Sequence, residues 1–160
     1  MIIIGEKING AIPSIKQAIA EKNEALIIER TLAQAAAGAD FLDCAPSTAT
    51  EIEYDTMVWL IGLMQGCTDK RLCIDSPNAK LLARIIEEGH LKKPGMVNSV
   101  NEEGDKCEII FPLIAGTPWE VVGLTCDQGG IPTEPQKKVD IAKRIIDKAV
   151  KYGVRLNQLH

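Results

Sequence analysis

Several short apolar runs in this chain end on a side chain that could hold a ligand. Glu6, Lys7 and Asn9 follow Ile2-Ile3-Ile4, Asp43 ends the run Asp40–Cys44, and Asp75 ends Arg71–Asp75. Asn98 ends Gly95–Asn98, and Asp127 follows Val121–Cys126. Carboxylates accept hydrogen bonds and amides both donate and accept, so with a single Lys the set suits a neutral ligand rich in N–H donors better than a polyphosphate. Each Asp or Asn alone could be a turn former; their recurrence at corresponding positions argues for a shared rim. The cysteines (Cys44, Cys67, Cys73, Cys107, Cys126) are odd in number and nowhere spaced as C-x-x-C, and only His90 and His160 could add imidazoles. We expect no metal site and no disulfide framework, but buried, reduced thiols. No local His supports a cysteine nucleophile, and the residues alone assign no catalytic group.

The elements that must position these residues alternate between β-type and helical patterns. Strands are expected to begin near residues 2, 40, 71, 95 and 121, roughly one βα unit apart. Helix starts are read at Ser14–Gln17, Thr48–Glu51, Ser76-Pro77, Ser99–Glu102 and Thr133–Gln136, from capping-box patterns and first-turn prolines. One long helical pattern follows Ser14 through Leu26, Ile27, Ile28, Leu32 and Ala36 to Gly38. Mostly continuous apolar strands predict a parallel sheet covered on both faces, hence an α/β fold. Neither G-x-G-x-x-G nor a phosphate loop follows any strand, and five units are too few to close a standard barrel. Parallel α/β folds place their sites at the carboxyl ends of strands, where the polar residues lie.

Composition narrows the functional classes. The 160 residues carry 18 Lys+Arg against 22 Asp+Glu, with 46% hydrophobic, 25% charged and 4% aromatic residues. That is ordinary globular usage, and it predicts one domain over residues 1–160. The mild acidic excess and few aromatics argue against nucleic-acid binding. No apolar run reaches membrane-spanning length, and charges at Glu6 and Lys7 come too early for a signal peptide. A cytoplasmic location is expected.

In order along the chain, Ile4-Gly5-Glu6-Lys7-Ile8-Asn9-Gly10, Cys73-Ile74-Asp75-Ser76, Val97-Asn98-Ser99, Phe111-Pro112-Leu113, Gly123-Leu124-Thr125 and Gly130-Ile131-Pro132 resemble the methyltetrahydrofolate:corrinoid-protein methyltransferases, which group with dihydropteroate synthases among the pterin-binding barrels. Glu51-Ile52-Glu53-Tyr54 and Glu103–Glu108 look most like the type serving methylamine, glycine betaine or demethylation pathways in anaerobes. The resemblance implies a (β/α) TIM-barrel-like fold, of which this chain holds the first five of eight units. It also implies that Asp75 and Asn98 bind the pterin ring, with Glu6, Asn9 and Asp43 as further candidates; Asp43 and Asp127 are otherwise expected to shape their loops.

The implied activity is methyl transfer between N5 of methyltetrahydrofolate and the cobalt of a cobalamin carried by a partner corrinoid protein. Tetrahydrofolate is thus substrate or product, and no covalent protein intermediate is involved. A second pterin-binding Asp and an Asn near N5, on the family's later strands, have no counterpart before His160. The chain alone is therefore expected to be inactive, and its open edges to pair it into a homodimer. The alternatives are a dihydropteroate-synthase-like enzyme, against which the Arg-free loop Asp43–Thr48 speaks, or a noncatalytic pterin-binding or corrinoid-docking module.

Overall fold

A computed structural model describes residues 1–160. Strands β1 (Ile4–Gly5), β2 (Phe41–Cys44), β3 (Arg71–Asp75), β4 (Met96–Glu102) and β5 (Glu120–Asp127) form one parallel sheet in sequence order. Between and after them run α1 (Pro13–Ala20), α2 (Glu24–Ala36), α3 (Thr50–Cys67), α4 (Ala79–Glu87), α5 (Lys106–Ile114) and α6 (Pro135–Tyr152). The sheet is the curled half of a β/α barrel.

Strand alternation sorts the side chains onto two different surfaces. Leu42, Cys44, Leu72, Ile74, Val97 and Val121 point outward and join the helices in the main core, where Leu60, Leu82 and Phe111 are fully buried. Phe41, Cys73 and Met96 point inward and pack with Ile4 and Val122 in a second cluster that includes no helical residue. The two covered faces of the sheet are of different kinds, as in a β/α barrel: helices cover the convex face, and the other face is a barrel interior. Both faces need apolar residues, which is why the strands read as continuous apolar runs.

Arg71 closes the amino-terminal end of that interior. It pairs with Glu120, donates to the carbonyls of Pro94 (2.9 Å) and Pro118 (3.0 Å), and lies over the Phe41 ring.

Helix starts differ from the capping patterns in the sequence. Pro13 and Pro135 begin α1 and α6 directly, and α3 starts at Thr50 without a side-chain cap. The caps that form are asparagines: Asn23 accepts from Leu26 N, and Asn78 accepts from Lys80 N and Leu81 N. Asn23 divides the expected long helix into α1 and α2. Ser99–Glu102 is the end of β4 rather than a helix start. Its register shifts after Asn98, so Val100 turns back into the outer core.

Helix α6 ends on Gly153 in the left-handed conformation (φ 80°), and the chain returns to the sheet. Leu159 bridges Val121 in parallel, His160 N donates to Val121 O (3.0 Å) and Gly123 N to His160 O (2.8 Å). Gln158, 2% exposed, fixes this return by donating to Trp119 O (2.6 Å) and Thr117 O (3.0 Å).

Candidate ligand site

Above the inward layer of Phe41, Cys73 and Met96, the next inward positions on the same strands are Asp43, Asp75 and Asn98. Asp43 pairs with Cys73 in register, and Asp75 with Asn98. The strand ends therefore gather two carboxylates and an amide at the mouth of the half barrel, on an apolar floor. Glu6, in the loop after β1, lies close enough to raise the pKa of both aspartates.

The neighbouring loops hold this mouth together. Gly10 N donates to Ala45 O (2.9 Å) and Ala45 N to Ile8 O (3.0 Å), which continues the β1–β2 pairing beyond the strands. A Cβ on Gly10 would stand 2.0 Å from Pro46 O, so only glycine fits. Asn9 Oδ1 accepts from Ala11 N (2.8 Å) and Ser47 Oγ (3.3 Å), so its carbonyl is committed to tying the two loops.

Asp75 is backed by a residue that the sequence reading left out of the site. Glu53, on α3 and 6% exposed, accepts from Ser76 Oγ (2.6 Å), and Ser76 N donates to Asn98 O (3.2 Å). Burial, then Glu6 and Glu53, push Asp75 up to about 6. The available signal was a carboxylate in the apolar stripe of α3, four residues before the buried Met57.

Asp43 is 1% exposed. It makes no hydrogen bond to its loop, contrary to the expectation for it, and its Oδ1 has no partner in the chain. Burial first, then the Asp75 charge, push it up to about 7, against weaker opposing pulls from the Cys73 thiol and Asn98 amide. Asp127 does shape its loop: it accepts from Gly129 N (2.9 Å), faces Lys137 (3.2 Å), and is held below the usual range chiefly by that backbone bond.

The thiols are poor nucleophiles. Burial pushes Cys44 and Cys73 far up, and the aspartate charges add to it. All five cysteines are free. A cavity of about 540 Å³ lies between α1 and the start of α3, lined among others by Lys16, Ile19, Lys22, Ile52 and Asp55. The converging acceptors of the barrel mouth make the stronger ligand site. No helix is long and apolar enough to cross a membrane.

Comparison with known proteins agrees with this fold. No family model matches the chain. All of it aligns, at 45% identity over 162 residues, with a methylcorrinoid:tetrahydrofolate methyltransferase of Eubacterium limosum, of which it spans 59%. Dihydropteroate synthase of Xanthomonas albilineans, solved with 7,8-dihydropteroate, superposes with a TM-score of 0.62 at 18% identity, covering 99% of this chain and 56% of that one. The Vibrio fischeri 7,8-dihydropteroate synthase gives 0.60 at 17% identity, covering 99% and 59%. Over its whole length the chain is thus a homologue of part of a methylcorrinoid:tetrahydrofolate methyltransferase, built on the fold of the dihydropteroate synthases.

Proposed function

We propose that this chain is the folate-binding portion of an enzyme that moves a methyl group between N5 of methyltetrahydrofolate and the cobalt of a corrinoid held by a partner protein. The observation that carries the reading is the register pair Asp75–Asn98 at the strand ends, in a chain 45% identical to a relative of that name. Asp75 accepts from ring N–H and amino groups, and Asn98 gives and takes on the same edge. Glu53 and Ser76 stiffen the turn behind Asp75, so that acceptor is set before the ligand arrives. Phe41, Cys73 and Met96 keep water from the buried side of the ring.

In the transfer, the N5–methyl bond breaks, the methyl joins the cobalt, and the electron pair left on N5 takes up a proton. The corrinoid supplies the nucleophilic metal; this chain's residues bind, orient and exclude water. Stopped-flow detection of methylcobalamin from cob(I)alamin and methyltetrahydrofolate tests the proposal. A polypeptide with all eight barrel units forms it, and this chain alone is slower by at least about 10²-fold, the usual effect of losing a preorganised donor to developing charge. Equal rates would move catalysis to Glu6, Asn9, Asp43, Asp75 and Asn98.

We also propose that the open β5–α6 edge pairs two copies of the chain. A groove of about 290 Å³ there is lined by Ala142, Ile145, Ile146, Leu156 and Leu159, and Leu124, Val150 and Leu156 are exposed on the same elements.

A further inference from the structure

Asp43 is the one carboxyl of the barrel mouth with a buried oxygen that has no partner. Its side chain points inward beside Cys73, and Asp75 stands two residues further along the same face of β3. It is 1% exposed with an unpartnered Oδ1. The Asn98 amide and the Cys73 thiol pull weakly toward the ion, but burial and the Asp75 charge outweigh them, and with no cation to pair with, the neutral acid is the form such a place tolerates.

No charge around the pair favours the ion. Facing Asp43 or its neighbour Asp75 are Cys73 on β3, Cys44 on β2, Asn98 on β4, Glu6 in the loop after β1, and Glu53 on α3. None is a cation. Asp43, Asp75, Glu6 and Glu53 take part in none of the ion pairs of the chain, and no three acidic, His or Cys side chains converge as a metal cage. Asp75, less buried, ionises first, and its charge then holds the proton on Asp43.

We propose that Asp43 is kept as the neutral acid and donates a hydrogen bond into the cavity, so that Asp43 and Asp75 offer the ligand a donor and an acceptor side by side. On the folate reading above, on which this step rests, the pair selects a heterocycle with an acceptor atom next to its N–H edge. Ionising Asp43 replaces that donor by a charge facing the acceptor, and binding weakens.

Two measurements test this. Infrared spectra of the chain across neutral pH show the C=O stretch of a protonated carboxylic acid that fades toward alkaline pH and is missing in Asp43→Asn; a ¹³C-carboxyl NMR titration reads the same group without any variant. Calorimetry with tetrahydrofolate shows affinity falling at least about tenfold from mildly acidic to alkaline pH. Asp43→Asn, whose amide donates at every pH, lacks the fall in affinity toward alkaline pH, and Asp43→Ala binds weakly throughout. An acid band that ignores Asp43, a carboxyl titrating in the ordinary range, or folate affinity flat with pH in the unsubstituted chain overturns the proposal while leaving the folate reading intact. An Asp43 acid band with no folate binding at any pH overturns the folate reading instead.

Discussion

Asp75 and Asn98 occupy paired positions on adjacent parallel strands, and both face the interior of the half barrel rather than the helices. This places an acceptor beside a group that both donates and accepts, with Asp43 one step below on β2. Replacing the amide by a third acid tests the pairing. Asn98→Asp should lower tetrahydrofolate affinity by about 10–100-fold, as the donor is lost and a like charge is added. The loss should be larger at alkaline than at mildly acidic pH. Calorimetry at the two conditions reads it, and an unchanged affinity would remove Asn98 from the site.

Asp43 and Asp75 bind protons more tightly in the folded chain than an ordinary aspartate, whose pKa is 3.8. Below that value both folded and unfolded states are protonated, and the full contribution to stability is present. As pH rises toward about 6 for Asp75 and about 7 for Asp43, the unfolded chain loses these protons first, and stability falls. Asp43→Asn removes its share of that loss. The variant should therefore gain stability over the unsubstituted chain by on the order of 2 kcal/mol between mildly acidic and mildly alkaline pH. Thermal melts at both conditions measure it; a difference that does not grow with pH would mean that Asp43 is solvated.

Gly10 lets two site loops meet, because any Cβ there would run into the Pro46 carbonyl. Gly10→Ala should cost about 1–3 kcal/mol of stability and loosen the Asn9–Ser47 contact (3.3 Å). Chemical denaturation of the variant provides the check, and a stability equal to that of the unsubstituted chain would show that the loops can part freely.

The β5–α6 edge makes a separate prediction about assembly. Sedimentation at micromolar concentration should show a dimer, and Leu156→Lys, which puts a charge on the exposed apolar lip, should shift it toward monomer. A well-folded monomer before any substitution would contradict pairing through this edge.

Much of the architecture was legible because the βα period is long and regular. The strands fall at or within a few residues of the expected positions, and the apolar runs at Phe41–Cys44 and Arg71–Asp75 needed no tertiary knowledge. What hid was sidedness: Phe41, Cys73 and Met96 are as apolar as Leu42, Leu72 and Val97, because a barrel interior and a helix-covered face both exclude water. Helix starts were misplaced because Ser and Thr patterns compete with proline and asparagine, and local sequence does not say which side chain reaches the free amides. That Asp75 and Asn98 lie at adjacent strand ends was legible in the sequence. Glu53 was not, since it sits within the apolar stripe of α3, and the solitude of Asp43 depends on what its neighbours fail to offer.

The central claim is that the strand ends of this half barrel hold a folate, and calorimetric titration of the chain with methyltetrahydrofolate tests it most directly. The account predicts saturable binding that Asp75→Ala weakens by about 1–3 kcal/mol, the usual loss of a hydrogen bond to a charged group, with the fold unchanged by circular dichroism. No binding by the unsubstituted chain, or an identical dissociation constant after Asp75→Ala, would contradict it.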